Sequence, residues 1–415
     1  MRTEYMAGPL QIKSLGCTIR FAPSRNSLIS AWHHACTLLP ASQVQFVPNP
    51  GDIMKRLFFA LLLVPLLVPA QQVPVQKSGP LVHTFSIVAR DPQTGEMGVA
   101  VQSHWFSVGS IVTWAEAGVG AIATQSFVEP AYGQKGLELL RNGASAPTAL
   151  AQLLKDDPAR NVRQVAFIDS HGRVAAWTGA KDIQSAGDIV GKPASGEITS
   201  QKIEGAPNDG TVHIGESFSV QANMMLNDNI WPAMDKAFRE TKGELVDRML
   251  AALDAAQAAG GDIRGKQSAA IIVVKAKSTG QPWKDRIFDL RVDDAPLPLK
   301  ELRRLVALQR AYNHMNAGDL ATEKGDKEGA LREYSAAEKI ASTTPNVPAS
   351  RLNEMRYWHA VALVNMGRVE ESLPIFKQVF AADKNWATMT PRLTKVGQLP
   401  EDPRILSQIM AQQGK

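Results

Sequence analysis

Apolar runs and turn-formers alternate from residue 84 onward in a way that predicts a β-hairpin. Residues 84–89 and 97–103 read as strands. Between them, Asp91-Pro92-Gln93-Thr94-Gly95 supplies the fixed φ of proline and the positive φ of glycine that a tight loop requires. Two further strands are expected at 111–114 and 118–126. The period then becomes helical over 132–141 and 147–154, separated by the helix-stop pair Asn142-Gly143. A second hairpin is expected where 165–168 and 174–177 flank Asp169-Ser170-His171-Gly172. Residues 187–215 are rich in Gly, Pro, Ser and charge, and read as an inserted surface loop too polar to fill a core. A strand at 218–225, helices at 231–240 and 244–258, and strands at 268–275 and 286–292 follow. In the last strand Phe288, Leu290 and Val292 alternate with Asp289, Arg291 and Asp293, which predicts one buried and one wet face.

The order is strands, helix pair, strands, helix pair, strands. Hairpins rather than long crossovers join the strands, so the sheets should be largely antiparallel. The class is α+β, and two helical layers enclosing two sheets, an αββα sandwich over 84–295, is the natural packing. From 299 the chain turns helical. Gly318, Gly325, Ala330, Tyr334 and Ala337 fall at the spacing of a tetratricopeptide repeat, and Tyr357, Ala360, Gly367, Ser372 and Phe376 repeat it. A small all-α tetratricopeptide-like domain is therefore expected over 299–390, with 391–415 as a tail. Two repeats are fewer than a free solenoid needs, so this module should dock on the first domain.

The amino-terminal part reads differently. Residues 54–70, Met54-Lys55-Arg56 followed by an apolar run that ends Val68-Pro69-Ala70, form a signal-peptide pattern. Two prolines and the short run argue against a membrane-spanning helix, so the expectation is a periplasmic or secreted protein with no stable membrane anchor. Residues 1–53 show no sustained period and read as an over-extended or disordered leader, with Met54 as the initiator. Residues 71–83 read as an extended lead-in.

Charge changes the picture by subtraction. Of 45 Lys+Arg and 40 Asp+Glu, six and two lie in residues 1–70, which leaves the remainder within one charge of neutral. No basic footprint for nucleic acid survives. Both cysteines, Cys17 and Cys36, also lie in that segment, so the rest of the chain offers no thiol nucleophile and no thiolate metal site. The six histidines beyond it form no metal-ligand spacing, and no metal or cofactor is expected.

The stretch Thr84-Phe85-Ser86-Ile87-Val88-Ala89-Arg90-Asp91-Pro92, continued by Thr94-Gly95-Glu96 and Gly98-Val99-Ala100-Val101, resembles a known family. So do Trp114-Ala115, Ala117 to Ala121, Thr124-Gln125, Tyr132-Gly133, Phe218 to Gln221 with Asn223-Met224, and Gly260-Gly261-Asp262 with Arg264 to Ala269. The family is catalogued as domain of unknown function 1028 and placed with the N-terminal-nucleophile (Ntn) hydrolases. The resemblance implies the αββα sandwich of that superfamily and no settled reaction.

In Ntn hydrolases a Thr, Ser or Cys that begins the chain is the nucleophile, and its own α-amine is the base. An α-amine titrates near 7.7–8.0, so a useful fraction is free at neutral pH. The resemblance points to Thr84. Cleavage after Ala70 leaves residues 71–83 ahead of it, so a second cut between His83 and Thr84 is required. Ser103 and His104 stand where superfamily members place groups beside the nucleophile, or else they end a surface strand; the family often carries Lys in place of His104. Gln125, Ser126, Gln221 and Asn223 are polar residues at the ends of apolar strands, able either to stabilise an oxyanion or to satisfy loop backbone. Asp262, Arg264, Lys266 and Gln267 form a dense polar cluster, either substrate-contacting or a salt-bridged loop. Gly260 to Lys266 imitates a phosphate loop, but Gln267 stands where a magnesium-binding hydroxyl is needed and the segment runs from helix to strand.

Two functions are expected from this. One is an exported amidohydrolase acting on a peptide-like or other small amide substrate. The other is a non-catalytic envelope scaffold in which the sandwich and helical repeats hold a protein or cell-wall partner. The sequence carries no signal for oligomeric state.

Overall fold

The computed structural model describes residues 81–193, 197–203 and 211–414. The leader, the signal-peptide pattern and most of the lead-in lie outside the described residues. The described chain opens with strands β1 (Leu81–Val82), β2 (Thr84–Arg90), β3 (Met97–Ser103), β4 (Thr113–Glu116) and β5 (Gly120–Phe127). Helices α1 (Ala131–Arg141) and α2 (Ala146–Asp156) follow, then β6 (Arg163–Asp169) and β7 (Arg173–Thr178). The hairpin between β2 and β3 closes as its turn residues require: the Asp91 carboxylate accepts from the backbone N–H of Gln93 and Thr94, and Gly95 takes φ 74°.

The stretch expected to be a surface loop is in part β-structure. β8 (Gly187–Val190), β9 (Thr199–Lys202) and β10 (Thr211–Glu216) all join sheets. The physical reason is position: β8 and β9 are the outermost strands of their sheets, and β10 lies just inside β9. At that edge β9 can be exposed along its whole length, and backbone pairing rather than apolar side chains holds it. The domain continues with β11 (Phe218–Ala222), α3 (Ile230–Glu240), α4 (Leu245–Ala258), β12 (Ser268–Val274) and β13 (Arg286–Val292).

The strands form two antiparallel sheets. One runs β13-β12-β3-β2-β11-β8. The other runs β1-β5-β6-β7-β10-β9, with β4 also paired to β5. Period-2 alternation then sorts the side chains into three apolar layers. Phe85, Ile87 and Ala89 of β2 pack outward against Met234, Phe238, Met249 and Leu253 of α3 and α4. Val88, Val99 and Val101 face Ala121, Ala123, Ala166 and Ile168 across the gap between the sheets. Ile122, Val165, Phe167 and Trp177 pack outward against Leu137, Leu150 and Leu154 of α1 and α2. Gly133 lets α1 lie against the second sheet, because a Cβ there would stand 2.2 Å from the Trp114 ring.

Beyond the sheets come helices α5 (Pro298–Glu323), α6 (Lys327–Thr343), α7 (Ala349–Asn365), α8 (Val369–Ala382), α9 (Lys384–Thr394) and α10 (Pro403–Met410). At about 1.5 Å per residue α5 is long enough to serve two cores. Its Leu299, Leu302 and Val306 join the layer outside the first sheet, while Ala311 and Met315 pack with Ala337, Ala341 and Met355 of α6 and α7. Arg310 of α5 reaches Glu244 and Asp247 at 2.6 and 2.7 Å, an ion-pair clamp onto α4. Gly325 and Gly367 take φ 75° and 79° in the turns that fold α5 on α6 and α7 on α8. The 391–415 stretch carries the end of α9 and all of α10, with Ile409 fully buried beside Tyr357 and Phe376.

Candidate active site

At one end of the gap between the sheets the inward-facing positions change from apolar to polar. By alternation, Thr84 and Ser86 share the face of Val88. Ser103 shares that of Val101, Gln125 that of Ala123, Gln164 that of Ala166, and Ser268 that of Ala270. All six are fully buried, as are Ser219 and Asn223. Buried polar atoms are costly unless paired, and here they are paired in a chain with one consistent polarity.

The polarity can be followed from a fixed acceptor. The backbone carbonyl of Ala222 accepts from Gln164 Nε2 at 2.9 Å, so Gln164 Oε1 must point the other way. That oxygen accepts from Gln125 Nε2 at 2.7 Å and from Asn223 Nδ2 at 2.8 Å. Asn223 therefore presents Oδ1 to the His83 imidazole, whose Nδ1 lies 2.6 Å away and must carry the proton. On the other branch, Ser86 donates to Gln125 Oε1 at 2.6 Å and accepts from Gln221 Nε2 at 2.6 Å, and Gln221 Oε1 accepts from Ser219 at 2.8 Å. Gln125, Gln221 and Asn223 are thus committed to one another and to the backbone carbonyl of Thr84, which accepts from Gln125 Nε2 and the Asn223 N–H.

The donors that converge on a single oxygen are different ones. The carbonyl of His83 accepts from Ser103 Oγ at 2.5 Å and from Arg264 Nη2 at 2.8 Å. Pairing register sets Ser103 opposite both Thr84 and Ser268, which aligns the three hydroxyl-bearing strand ends. Arg264 is oriented by Asp262, whose side chain is wholly buried and which accepts from Arg264 Nε and Nη2 at 3.0 and 2.7 Å. The same carboxylate accepts from the backbone N–H of His104 at 3.1 Å, so it ties the β3 end to the 260–264 loop.

Upstream of Thr84 the chain is held as a strand. Leu81 and Val82 pair with Phe127 and Ser126 of β5, and the hydroxyl of Thr84 donates to the Val82 carbonyl at 3.0 Å. The His83 ring is fully buried, edge-on to Phe127 at 6.1 Å, with its Nε2 unpaired. Burial holds the imidazole below its ordinary pKa, against its hydrogen bond to Asn223 and with the Arg264 charge adding to the effect, which favours the neutral ring. Two non-glycine residues beside this junction, Ser126 and Met224, adopt φ 71° and 58°, a conformation that the surrounding structure must impose.

The remaining candidates lie further out. Ser126 donates to Asp182 at 2.7 Å, and burial raises that carboxyl to about 7, against the hydrogen bonds from Ser126 and the Gly179 backbone. The His104 ring and Lys266 are exposed. Gln267 turns outward to Asp294 at 3.2 Å, while its backbone N–H donates to the Ser103 carbonyl. Gln164, Ser86 and Asp182 escaped the sequence reading, which names His83 only as the residue ahead of the expected cut. Gln164 was within reach of it: extending the β6 alternation one pair upstream from Ala166 puts a glutamine on the inter-sheet face. Among the described residues, no group of three His, Cys, Asp or Glu is placed to hold a metal, and no helix is long and apolar enough to cross a membrane.

A crystal structure of a Silicibacter pomeroyi protein, described as a member of the family DUF1028, is 28% identical to this chain. The match covers 54% of this chain and 88% of that one, with a TM-score of 0.42. No functionally curated protein matches the sequence. The family of unknown function DUF1028 matches residues 84–202 and 194–302, from the first residue of β2 to the first turn of α5 and more than half of the chain. The chain belongs to that family.

Proposed function

We propose that the protein is an exported amidohydrolase of the N-terminal-nucleophile kind, with an αββα sandwich of that superfamily and tetratricopeptide-like helices appended. Thr84 is its nucleophile, and the protein makes its own active form by cutting the His83–Thr84 bond. The observation that carries this reading is the His83 carbonyl. A peptide carbonyl gripped by a buried hydroxyl and a guanidinium, directly ahead of a strand-opening Thr, is arranged as an oxyanion site is arranged.

The atoms balance as follows. Thr84 Oγ1 attacks the His83 carbonyl carbon, negative charge grows on the oxygen that Ser103 and Arg264 hold, and the C–N bond breaks. The hydroxyl proton ends on the Thr84 amine, leaving an ester. Water then cleaves the ester to a His83 carboxylate and a free Thr84 hydroxyl. The new α-amine is the base for later cycles. It takes the Oγ1 proton as that oxygen attacks an amide carbonyl and delivers it to the leaving amine, and water releases the acid. The polar network positions this group: Gln125 and Asn223 hold the Thr84 carbonyl and so fix the strand end.

The scaffold reading has one observation of its own. A groove of about 600 Å³ runs across the helices, lined by Tyr312, Asp319, Glu323, Glu354, Trp358 and Asn365. It is acidic and aromatic, suited to a protein segment.

The deciding measurement is the intact mass and first residue of protein exported by a host with a working secretion pathway. A chain that begins at Thr84 supports the hydrolase. A chain that retains residues ahead of Thr84 and never converts leaves the hydroxyl without its base and favours the scaffold.

A further inference from the structure

The cut that would expose Thr84 also empties a cavity. Until then the lead-in occupies it in three ways: β1 pairs with the edge of β5 at Ser126 and Phe127, the His83 carbonyl sits between Ser103 and Arg264, and the His83 ring lies between Asn223 and Phe127. Any later acyl donor must put its carbonyl where the His83 carbonyl was, because nucleophile and oxyanion donors do not change. Its chain must then follow the β1 track, and its side chain must enter the space that the imidazole leaves.

Resting on the reading of Thr84 as nucleophile, we propose that this space is the acyl-side specificity subsite. It selects extended peptides or acyl-amides that carry a neutral, hydrogen-bond-donating side chain, imidazole or carboxamide, next to the scissile carbonyl.

The selectivity follows from the locked polarity of the cavity. Asn223 presents Oδ1, an acceptor, and cannot turn over without breaking its bond to Gln164, whose own amide is fixed by the Ala222 carbonyl. An aliphatic side chain leaves that buried acceptor bare. A lysine or arginine brings a cation into a buried space beside the Arg264 guanidinium, which already lies 2.8 Å from the same carbonyl. An imidazole satisfies the site, as His83 does. Its Nε2 finds no partner, so the cavity asks for one donor and nothing more. A glutamine or asparagine amide can supply that donor.

The test uses two proteins and one peptide series. The first protein is the full chain with Thr84→Ala, which cannot cut itself and keeps its own His83 in the cavity. The second is the chain that the cut generates, released from an amino-terminal fusion by a protease that leaves Thr84 first. Among the described residues, only Val82 of the buried inter-sheet layer lies ahead of that point. Acetyl-Leu-Val-His, -Gln, -Leu and -Lys are titrated into each by calorimetry, and the same sequences with a fluorogenic amine are assayed for release. The expected result is binding of the His and Gln peptides about tenfold or more tighter than the Leu and Lys peptides by the Thr84-first chain, and no binding by the uncut one. Equal affinity across the series, or equal binding to the uncut chain, overturns the subsite. Selective binding without amide release keeps the subsite and removes the hydrolase. Release without His or Gln preference does the reverse. The conclusion needs no cavity variant to fold, because the substitutions are in the peptide.

Discussion

The hydroxyl of Ser103 donates to the carbonyl oxygen of His83 at 2.5 Å, from a strand position directly opposite Thr84. The register of a single hairpin, β2 on β3, therefore brings the proposed nucleophile and the proposed oxyanion donor together, and a one-residue slip would turn Ser103 to the other face of the sheet. If that oxygen is where charge develops, removing a donor should slow the His83–Thr84 cut. Ser103→Ala and Arg264→Gln are each expected to slow it about 100- to 1000-fold, followed as the intact mass of purified precursor against time. Undiminished cutting in both variants would sink the autocatalytic route.

Thr84 should tolerate only another small nucleophile. Thr84→Ser keeps a hydroxyl at the same place and is expected to cut and to hydrolyse amides at a reduced rate. Thr84→Ala is expected to do neither, while melting within a few degrees of the parent, since it loses one hydrogen bond to the Val82 carbonyl. Amide hydrolysis by the alanine variant at the parent's rate would assign the chemistry to another group.

The amide network behind Thr84 should be a stability element in its own right. Gln164→Leu leaves Gln125 Nε2, Asn223 Nδ2 and the Ala222 carbonyl each short of a partner in a fully buried place. A loss of about 3 kcal/mol or more in unfolding free energy is expected from urea denaturation. Because Asn223 would then be free to rotate, the His83 junction should also be cut more slowly. A change below about 1 kcal/mol would mean that the chain of amides is rearranged or hydrated rather than locked.

The sequence reading reached the strands that carry a side-chain signal: the β2–β3 hairpin through apolar runs around its turn residues, and β13 through the alternation of a buried and a wet face. It failed for the edge strands β8 and β9, whose backbone pairing leaves little trace in side-chain polarity, and for β10 between β7 and β9, where Val212 and Ile214 alone mark the apolar face. At the site it found the residues near the centre but not what each one does. Arg264 stood out as part of a charged cluster, yet its target is a backbone carbonyl 181 positions away, a contact that only the tertiary fold creates. In the sequence reading Gln125, Gln221 and Asn223 stay open between stabilising an oxyanion and satisfying loop backbone, because their partner, Gln164, is not placed on the same face. His83 is named there only as the residue ahead of the expected cut, because a lone histidine ahead of a strand has no pattern of its own.

Asp182 offers a test by pH. Its carboxyl is buried, accepts from Ser126 through one oxygen and has no partner on the other, and burial raises it from an ordinary value near 3.8 to about 7. The folded state thus holds a proton that the unfolded chain releases. With more protons bound in the folded state, stability falls as pH rises, from about 4, where the unfolded carboxyl ionises, to about 7, where the folded one does; outside that window this group contributes no slope. The span is on the order of 4 kcal/mol. Asp182→Asn keeps an oxygen for Ser126 and cannot ionise, so it should flatten the fall between pH 4 and 7 and melt higher than the parent at pH 8. Ser126 pairs with Val82 ahead of the His83–Thr84 bond. Ionisation of Asp182 should therefore loosen the lead-in, and hydrogen exchange at the amides of 81–83 should quicken above pH 7 in the uncut Thr84→Ala chain. That quickening should be absent when Asp182→Asn is added. Parallel exchange in the two proteins, after correction for the intrinsic pH dependence, would separate Asp182 from the junction.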